Sequence, residues 1–98
     1  MNIGVKKEGE TLTVSPEGRI DAVTSTEFSK VVDDNISGVN ELIFDFEKLD
    51  YISSAGLRVL LTAQKNMSKV GKMKLVHVAD VIMDVFNITG FADILTIE

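Results

Sequence analysis

Apolar and polar residues alternate along the first part of the chain, a pattern that predicts β-strands. Residues 3–5 and 12–14 flank the segment KKEGE and alternate apolar with small or polar side chains, which predicts a hairpin. Pro16 should end the second strand or lie at a sheet edge, because proline has no N–H to donate. Gly18 is then expected to turn the chain into the segment RIDAVT.

Two further segments carry apolar residues at helical spacing. In TSTEFSKVVDDNI they recur every three or four positions, and Thr24 with Glu27 matches a capping box. This helix should therefore start between Ala22 and Ser25. A second helix is predicted from Ala55 to Val70, with Gly71 as its stop.

The remaining segments complete an alternating pattern. ELIFDF is typical of a strand covered on both faces, and KMKLVHV and DILTIE predict two more strands. Between these two strands, DVIMDVFNIT predicts a third helix that ends near Gly90. The order β-β-α-β-α-β-α-β indicates an α/β fold. We expect a small, mixed, mostly parallel sheet with helices packed on it and the first hairpin antiparallel at one side.

Length and composition are those of one folded domain. The chain has 98 residues, of which 45% are hydrophobic, so it can build a core. No repeat, low-complexity tract or linker interrupts it, which predicts a single domain over residues 1–98. Because the chain starts with methionine, we expect it to be complete rather than cut from a longer protein.

Charge and cysteine content narrow the possible partners. The net charge is −5 and no basic run exceeds Lys6-Lys7, which argues against a nucleic-acid partner. The absence of cysteine excludes disulfides, thiol nucleophiles and cysteine-bound metals. No apolar stretch resembles a signal peptide or a membrane span, so we expect no membrane insertion and a cytoplasmic location.

Most enzyme signatures are missing. The only imidazole is that of His77, which is predicted to lie midway through a strand. Its side chain should be packed in the fold or lie at the end of that strand. The chain has no second His or Cys that could help His77 to ligate a metal. Asp33-Asp34, or Asp45 with Asp50, would be candidate carboxylate pairs, but solvated charges are the favoured interpretation. Ser54 as a nucleophile would need a histidine base. We therefore predict no catalytic residue, no metal, no cofactor and no enzymatic activity.

The segment LDYISSAGLRVLL, residues 49–61, places two serines at a predicted helix start. Ser54 is predicted to be the N-cap, a position where an anion is favoured. A phosphoryl group there would strengthen the cap and act on whatever protein docks at the turn. The small residues Ala55 and Gly56 would let a kinase approach Ser54 closely. Arg58, four residues after Ser54, could reach back to a phosphate on that serine. Spacing alone favours a plain cap over a phosphorylation site.

These residues resemble a known family. LDYISSAGLRVLL is similar to the D-S-[SA]-G-L signature of the STAS domain, the fold of anti-sigma-factor antagonists. Three other segments resemble the rest of that fold in the right order and at normal spacing: LTVSPEGRIDAVTSTEF, ELIFDFEKLDYI and GKMKLVHVADVIMDVFNITGFADILTI. Nearly the whole chain is covered by the resemblance.

The resemblance implies a partner-switching function. Ser54 would be phosphorylated by a serine kinase that is itself the anti-sigma factor and that binds the ATP or ADP. The unphosphorylated chain would bind that kinase and release the sigma factor, and a PP2C-type phosphatase would reverse the phosphorylation. The family has Asp where this chain has Ser53, so Ser53 is the second candidate for the acceptor. The implied partner-binding residues are Asp21, Ser53, Ala55, Gly56 and Arg58.

Other interpretations stay open at this stage. The chain could be a STAS subunit of a lipid-transport ABC system, with Ser54 as a helix cap only, or a stressosome-like scaffold component. A small hydrolase that uses Ser54 and His77 is the remaining alternative. Asp21 could equally be a turn residue that bonds its own backbone.

Overall fold

Six strands and three helices follow one another in the computed structural model, which describes residues 1–98. In chain order they are β1 (Ile3–Glu8), β2 (Thr11–Pro16), β3 (Gly18–Ile20), α1 (Thr24–Asn35), β4 (Glu41–Asp45), β5 (Leu49–Ile52), α2 (Ser54–Met67), β6 (Lys72–Val76) and α3 (Asp80–Thr89), followed by a 3-10 turn (Phe91–Asp93).

The strands form two sheets. The main sheet has the order β1-β2-β4-β6, in which β1 pairs antiparallel with β2 and the other pairs are parallel. The strands β3 and β5 form a second, two-stranded parallel sheet. The predicted α/β fold with a mostly parallel sheet and an antiparallel hairpin at one side is therefore confirmed.

One hydrophobic core joins the helices to the sheets. Alternate residues of β2 and β4 are fully buried, as the period of two along a strand requires. The Phe44 ring lies in the centre, with ring centroids 5.4 Å from Phe28 and 5.9 Å from Phe46. The other face of β4 is only partly covered, which corrects the prediction that both faces are buried. Strand β1, at the sheet edge, is exposed along almost its whole length.

Helix α1 starts inside the predicted range but without the predicted capping box. Val23 occupies the N-cap position and makes no side-chain cap bond. The carboxylate of Glu27 instead lies 3.4 Å from the N-terminal amine of Met1. The first turn is held by Asp21, whose carboxylate accepts from the backbone N–H of Thr24.

The other boundaries differ in detail. Helix α2 ends at Met67 rather than Val70, which is 61% exposed and has no core to pack against. Helix α3 ends as predicted at Gly90, whose φ of 81° is the left-handed conformation that favours glycine. The expected last strand is reduced to a single parallel bridge between Leu75 and Ile97. No helix is long and apolar enough to cross a lipid bilayer.

Candidate functional site

Two serines at the start of α2 have different structural roles. Ser53 is the N-cap, with extended backbone angles, and its Oγ accepts from the backbone N–H of Gly56 at 3.4 Å. Ser54 is the first helical residue and is exposed. The prediction that Ser54 caps the helix is therefore wrong. The chain remains extended as far as Ser53 because its N–H donates to the carbonyl of Ile20 on β3 at 2.8 Å.

Gly56 allows α2 to lie close to the small sheet. It is buried, and a Cβ placed on it would lie 2.7 Å from side-chain carbons of both Ile20 and Ile52. The space above this glycine is thus filled by isoleucines of the same chain. Ala55, on the other side of the first turn, is partly exposed.

The Asp21 turn lies beside the serine turn, at the carboxyl end of β3. The Asp21 Oδ1 accepts from the backbone N–H groups of Val23 and Thr24, each at 2.9 Å. The hydroxyl of Thr24 donates to the carbonyl of Arg19 at 2.8 Å and accepts from the Asp21 N–H. The hydrogen bond from the Thr24 N–H is the main reason that the pKa of Asp21 is lowered. The interpretation of Asp21 as a turn residue is confirmed.

The outer surface of the small sheet carries a pair that the sequence did not indicate. The guanidinium of Arg19 on β3 lies 4.3 Å from the ring centroid of Tyr51 on β5, a cation–π distance. The two residues are register partners, and both are exposed. The sequence would have indicated this pair only if β3 and β5 had been recognised as paired strands. These strands have three and four residues, which is too short for a recognisable pattern.

Arg58 lies one helical turn after Ser54 and is exposed. With Ala55 it lines a groove of about 540 Å³ between α1 and α2. On the α1 side of this groove, Lys30 and Asp34 form an ion pair of 2.9 Å. The structure thus brings together Asp21, Ser53 and Ser54, with Arg58 on the adjoining helix face.

A comparison with models of protein families identifies the family of this chain. The model of the STAS domain matches residues 2–98. The chain belongs to the STAS domain family. The resemblance inferred from the serine turn and the three other segments is therefore confirmed.

Known proteins similar to this STAS domain are named as anti-sigma factor antagonists. BtrV of Bordetella bronchiseptica is 39% identical over 61 residues, which are 61% of this chain and 53% of BtrV. The match therefore spans about half the length of that curated relative. The structure of an anti-sigma factor antagonist from Mycobacterium paratuberculosis is similar with a TM-score of 0.88 and 18% identity, covering 98% of this chain and 83% of that one.

A third relative has been solved in two states. SpoIIAA in its unphosphorylated form is similar to this STAS domain with a TM-score of 0.78 and 18% identity, covering 99% of this chain and 87% of that one. The phosphorylated form of the Bacillus protein gives 0.77 and 19%, with coverages of 99% and 91%. At these identities the likeness shows the shared fold.

No hydrogen bond or ion pair joins His77 to the serine turn of the STAS domain. It directly follows β6, which ends at Val76, so its predicted place midway through a strand is wrong and the strand-end alternative is right. Its backbone has a φ of 56°, and its Nδ1 lies 2.9 Å from the Oδ1 of Asp45. This hydrogen bond is the main cause that raises the pKa of His77. Asp45 therefore has an imidazole as its partner.

Proposed function

We propose that this STAS domain is an anti-sigma-factor antagonist, a regulatory domain rather than an enzyme. In its unphosphorylated form it binds an anti-sigma factor that is also a serine kinase, and this binding releases a sigma factor. The kinase uses ATP to phosphorylate Ser54, which ends the binding. A PP2C-type phosphatase removes the phosphoryl group and restores the binding-competent form.

The accessibility of Ser54 is the observation that carries this proposal. Its side chain is exposed at the first position of α2, and the hydrogen bond that caps the helix is made by its neighbour. The Oγ of Ser53 is half-buried and already accepts from Gly56. A kinase can therefore reach Ser54 without breaking the cap, whereas transfer to Ser53 would disrupt it. For this reason we assign the acceptor role to Ser54.

Electrostatics explains how one phosphate would control binding. The N-terminus of α2 has free N–H groups and the positive end of the helix dipole, so the domain itself tolerates an anion there. A phosphoryl group adds about −1.5 to −2 charges, which the partner surface would have to desolvate. An unpaired buried charge costs about 3–5 kcal/mol, and each 1.4 kcal/mol is a factor of about ten in affinity. Binding should therefore fall by at least about a hundredfold.

Neighbouring residues would form the rest of the partner surface. Asp21 is held rigidly beside the serine turn by its two backbone hydrogen bonds. Ala55 and Arg58 continue the surface along α2, where both side chains are accessible. Gly56 would contribute through the close packing of α2, since its own position is buried. The names of BtrV and SpoIIAA support the antagonist role for this arrangement.

The first test is the intact mass of the protein isolated from its own cells, with fragmentation to locate any modification. We expect a species heavier by one phosphate, with the phosphate on Ser54. Location on Ser53 would keep the function and overturn the residue assignment. A single unmodified mass across growth phases and stress would contradict the phosphorylation switch.

The second test addresses the partner. The Ser54→Ala and Ser54→Glu variants are used as baits, with the exposed Ser37→Glu as the control for an added charge elsewhere. We expect a protein with a serine-kinase nucleotide site to bind the wild type, Ser54→Ala and Ser37→Glu, and to be lost with Ser54→Glu. Equal recovery with Ser54→Glu would contradict the proposed mechanism.

A further inference from the structure

Three potential metal ligands converge at a place that does not include the serine turn. Asp45, Glu47 and His77 each offer one ligand atom, and these atoms all lie within 4.8 Å of one another. Asp45 is the last residue of β4, and His77 follows the last residue of the neighbouring strand β6. The cluster is therefore located at the carboxyl ends of two parallel strands of the main sheet.

Backbone contacts fix the geometry of this cluster. Asp45 pairs with Val76 in the sheet, and the N–H of Phe46 donates to the Val76 carbonyl at 3.0 Å. The left-handed backbone of His77 then turns its imidazole towards Asp45. The Asp45 Oδ1 also accepts from the backbone N–H of Glu47 at 3.1 Å, which brings that residue to the same point.

The chemistry of the three ligand atoms selects a class of metal. An imidazole nitrogen with two carboxylate oxygens suits Zn²⁺ and similar first-row ions, whereas Mg²⁺ and Ca²⁺ prefer oxygen ligands throughout. With bonds of about 2.0–2.2 Å, three ligand atoms on one tetrahedral Zn²⁺ lie roughly 3.4 Å apart. The Asp45–His77 separation of 2.9 Å is shorter than this spacing, and all three ligand atoms lie within 4.8 Å of one another, so side-chain rotations can bring them onto one ion.

We propose that Asp45, Glu47 and His77 bind one Zn²⁺ ion and leave its fourth position to water. A polar depression of about 250 Å³ beside Asp45 and Glu47 supplies room for that water. Its lining includes a third carboxylate, that of Glu17, and one cation, that of Lys48, so acidic groups outnumber basic ones beside the cluster. The side chains of His77 and Asp45 are 60% and 27% exposed, so an ion can enter from solvent without unfolding.

The proposal is tested with the metals alone. The whole chain is titrated with ZnCl₂, MgCl₂ and CaCl₂ in separate calorimetric experiments, and the imidazole signals are followed by NMR. Because His77 is the only histidine, these signals report on a single site. We expect one Zn²⁺ per chain and a shift of the His77 signals, with weaker or no binding of Mg²⁺ and Ca²⁺.

Substitutions at the three ligands distinguish Zn²⁺ binding at this site from non-specific Zn²⁺ binding elsewhere on the surface. We expect His77→Ala, Asp45→Asn and Glu47→Gln to lower the Zn²⁺ affinity by at least about tenfold each. Asp33→Asn, which removes an exposed carboxylate from α1, is the control and should leave the affinity unchanged. Absence of Zn²⁺ binding at millimolar concentration, unchanged affinity in His77→Ala, or stronger binding of Ca²⁺ would each overturn the proposal. None of these outcomes depends on the phosphorylation of Ser54.

Discussion

The backbone N–H of Ser53 donates to the carbonyl oxygen of Ile20 at 2.8 Å. This bond joins the turn that precedes α2 to the turn that contains Asp21. It extends the pairing of β3 with β5 by one residue and sets where the helix can begin. The accessible Ser54 hydroxyl and the Asp21 carboxylate therefore lie on two turns that this backbone hydrogen bond holds together.

Gly56→Ala should destabilise the domain. The added Cβ would lie 2.7 Å from carbons of both Ile20 and Ile52, which are buried in the core. Overpacking of this kind costs about 1–3 kcal/mol, more than the helix propensity that alanine gains. Urea denaturation measures the loss.

Ala55→Gly is the matched control for that substitution, because it lowers helix propensity in the same turn without a steric clash. Its cost should not exceed about 1 kcal/mol. A Gly56→Ala variant as stable as the wild type would show that α2 can move away from the small sheet.

Ser53→Ala should cost about 1 kcal/mol of unfolding free energy, because it removes the acceptor that caps the Gly56 N–H. Ser53→Asp should retain the cap and place a negative charge at the positive end of the helix dipole. Ser54→Ala should change stability by less than about 0.5 kcal/mol, since its side chain is exposed. Thermal unfolding of the three variants gives the comparison, and a larger loss for Ser54→Ala than for Ser53→Ala would reverse our assignment of the cap.

Asp21 should make the domain less stable in acid. Its pKa is lowered in the folded state, chiefly by the hydrogen bond from the Thr24 N–H. A carboxyl group of this kind contributes stability above its unfolded pKa of about 3.9. That contribution is lost as the pH falls through the lower pKa of the folded state.

The measurement for Asp21 is the unfolding free energy between neutral pH and the acid side of that window. Asp21→Asn should be less stable than the wild type at neutral pH and should lose less stability on acidification. Asp33→Asn, an exposed carboxylate on α1, serves as the control. Parallel acid limbs for the wild type and Asp21→Asn would contradict the role given to the Asp21 turn.

Phe44→Ala should come close to unfolding the chain. Phe44 is fully buried and packs against the rings of Phe28 and Phe46. Removing such a side chain costs about 3–5 kcal/mol, a large share of the 5–15 kcal/mol that is typical of a whole domain. Tyr51→Ala, at a ring that is 40% exposed, should cost clearly less. Calorimetry of both variants compares the two, and equal losses would mean that the core is not centred on Phe44.

The fold was predictable where the sequence pattern is local. The periodic segments gave all three helices, and Gly90 marked the end of α3 correctly because a left-handed C-terminal residue favours glycine. The strands β3 and β5 were missed because three or four residues carry too little alternation to be recognised. Their pairing depends on the rest of the fold.

The site was predictable in its residue types but not in its geometry. Either serine can cap a helix, and the choice of Ser53 follows from its long-range bond to Ile20. Thr24 and Glu27 match a capping box, yet Asp21 holds that turn. The approach of His77 to Asp45 joins residues 32 positions apart and requires an unusual φ at His77. No sequence spacing carries that information.

The main sheet has two unlike edges. Along β6, the C-terminal segment closes the edge through the Leu75–Ile97 bridge and a bond from the Glu98 N–H to the Leu75 carbonyl. Along β1 the outer backbone groups face solvent, and this strand carries the charged side chains of Lys6 and Lys7. Lys6 forms an ion pair with Glu8 of the same strand, and Lys7 donates to the carbonyls of Asn35 and Ser37. A strand that docked on β1 would have to desolvate these charged groups. We therefore expect the charged residues of β1 to disfavour strand-by-strand growth into fibres at the open edge of the main sheet.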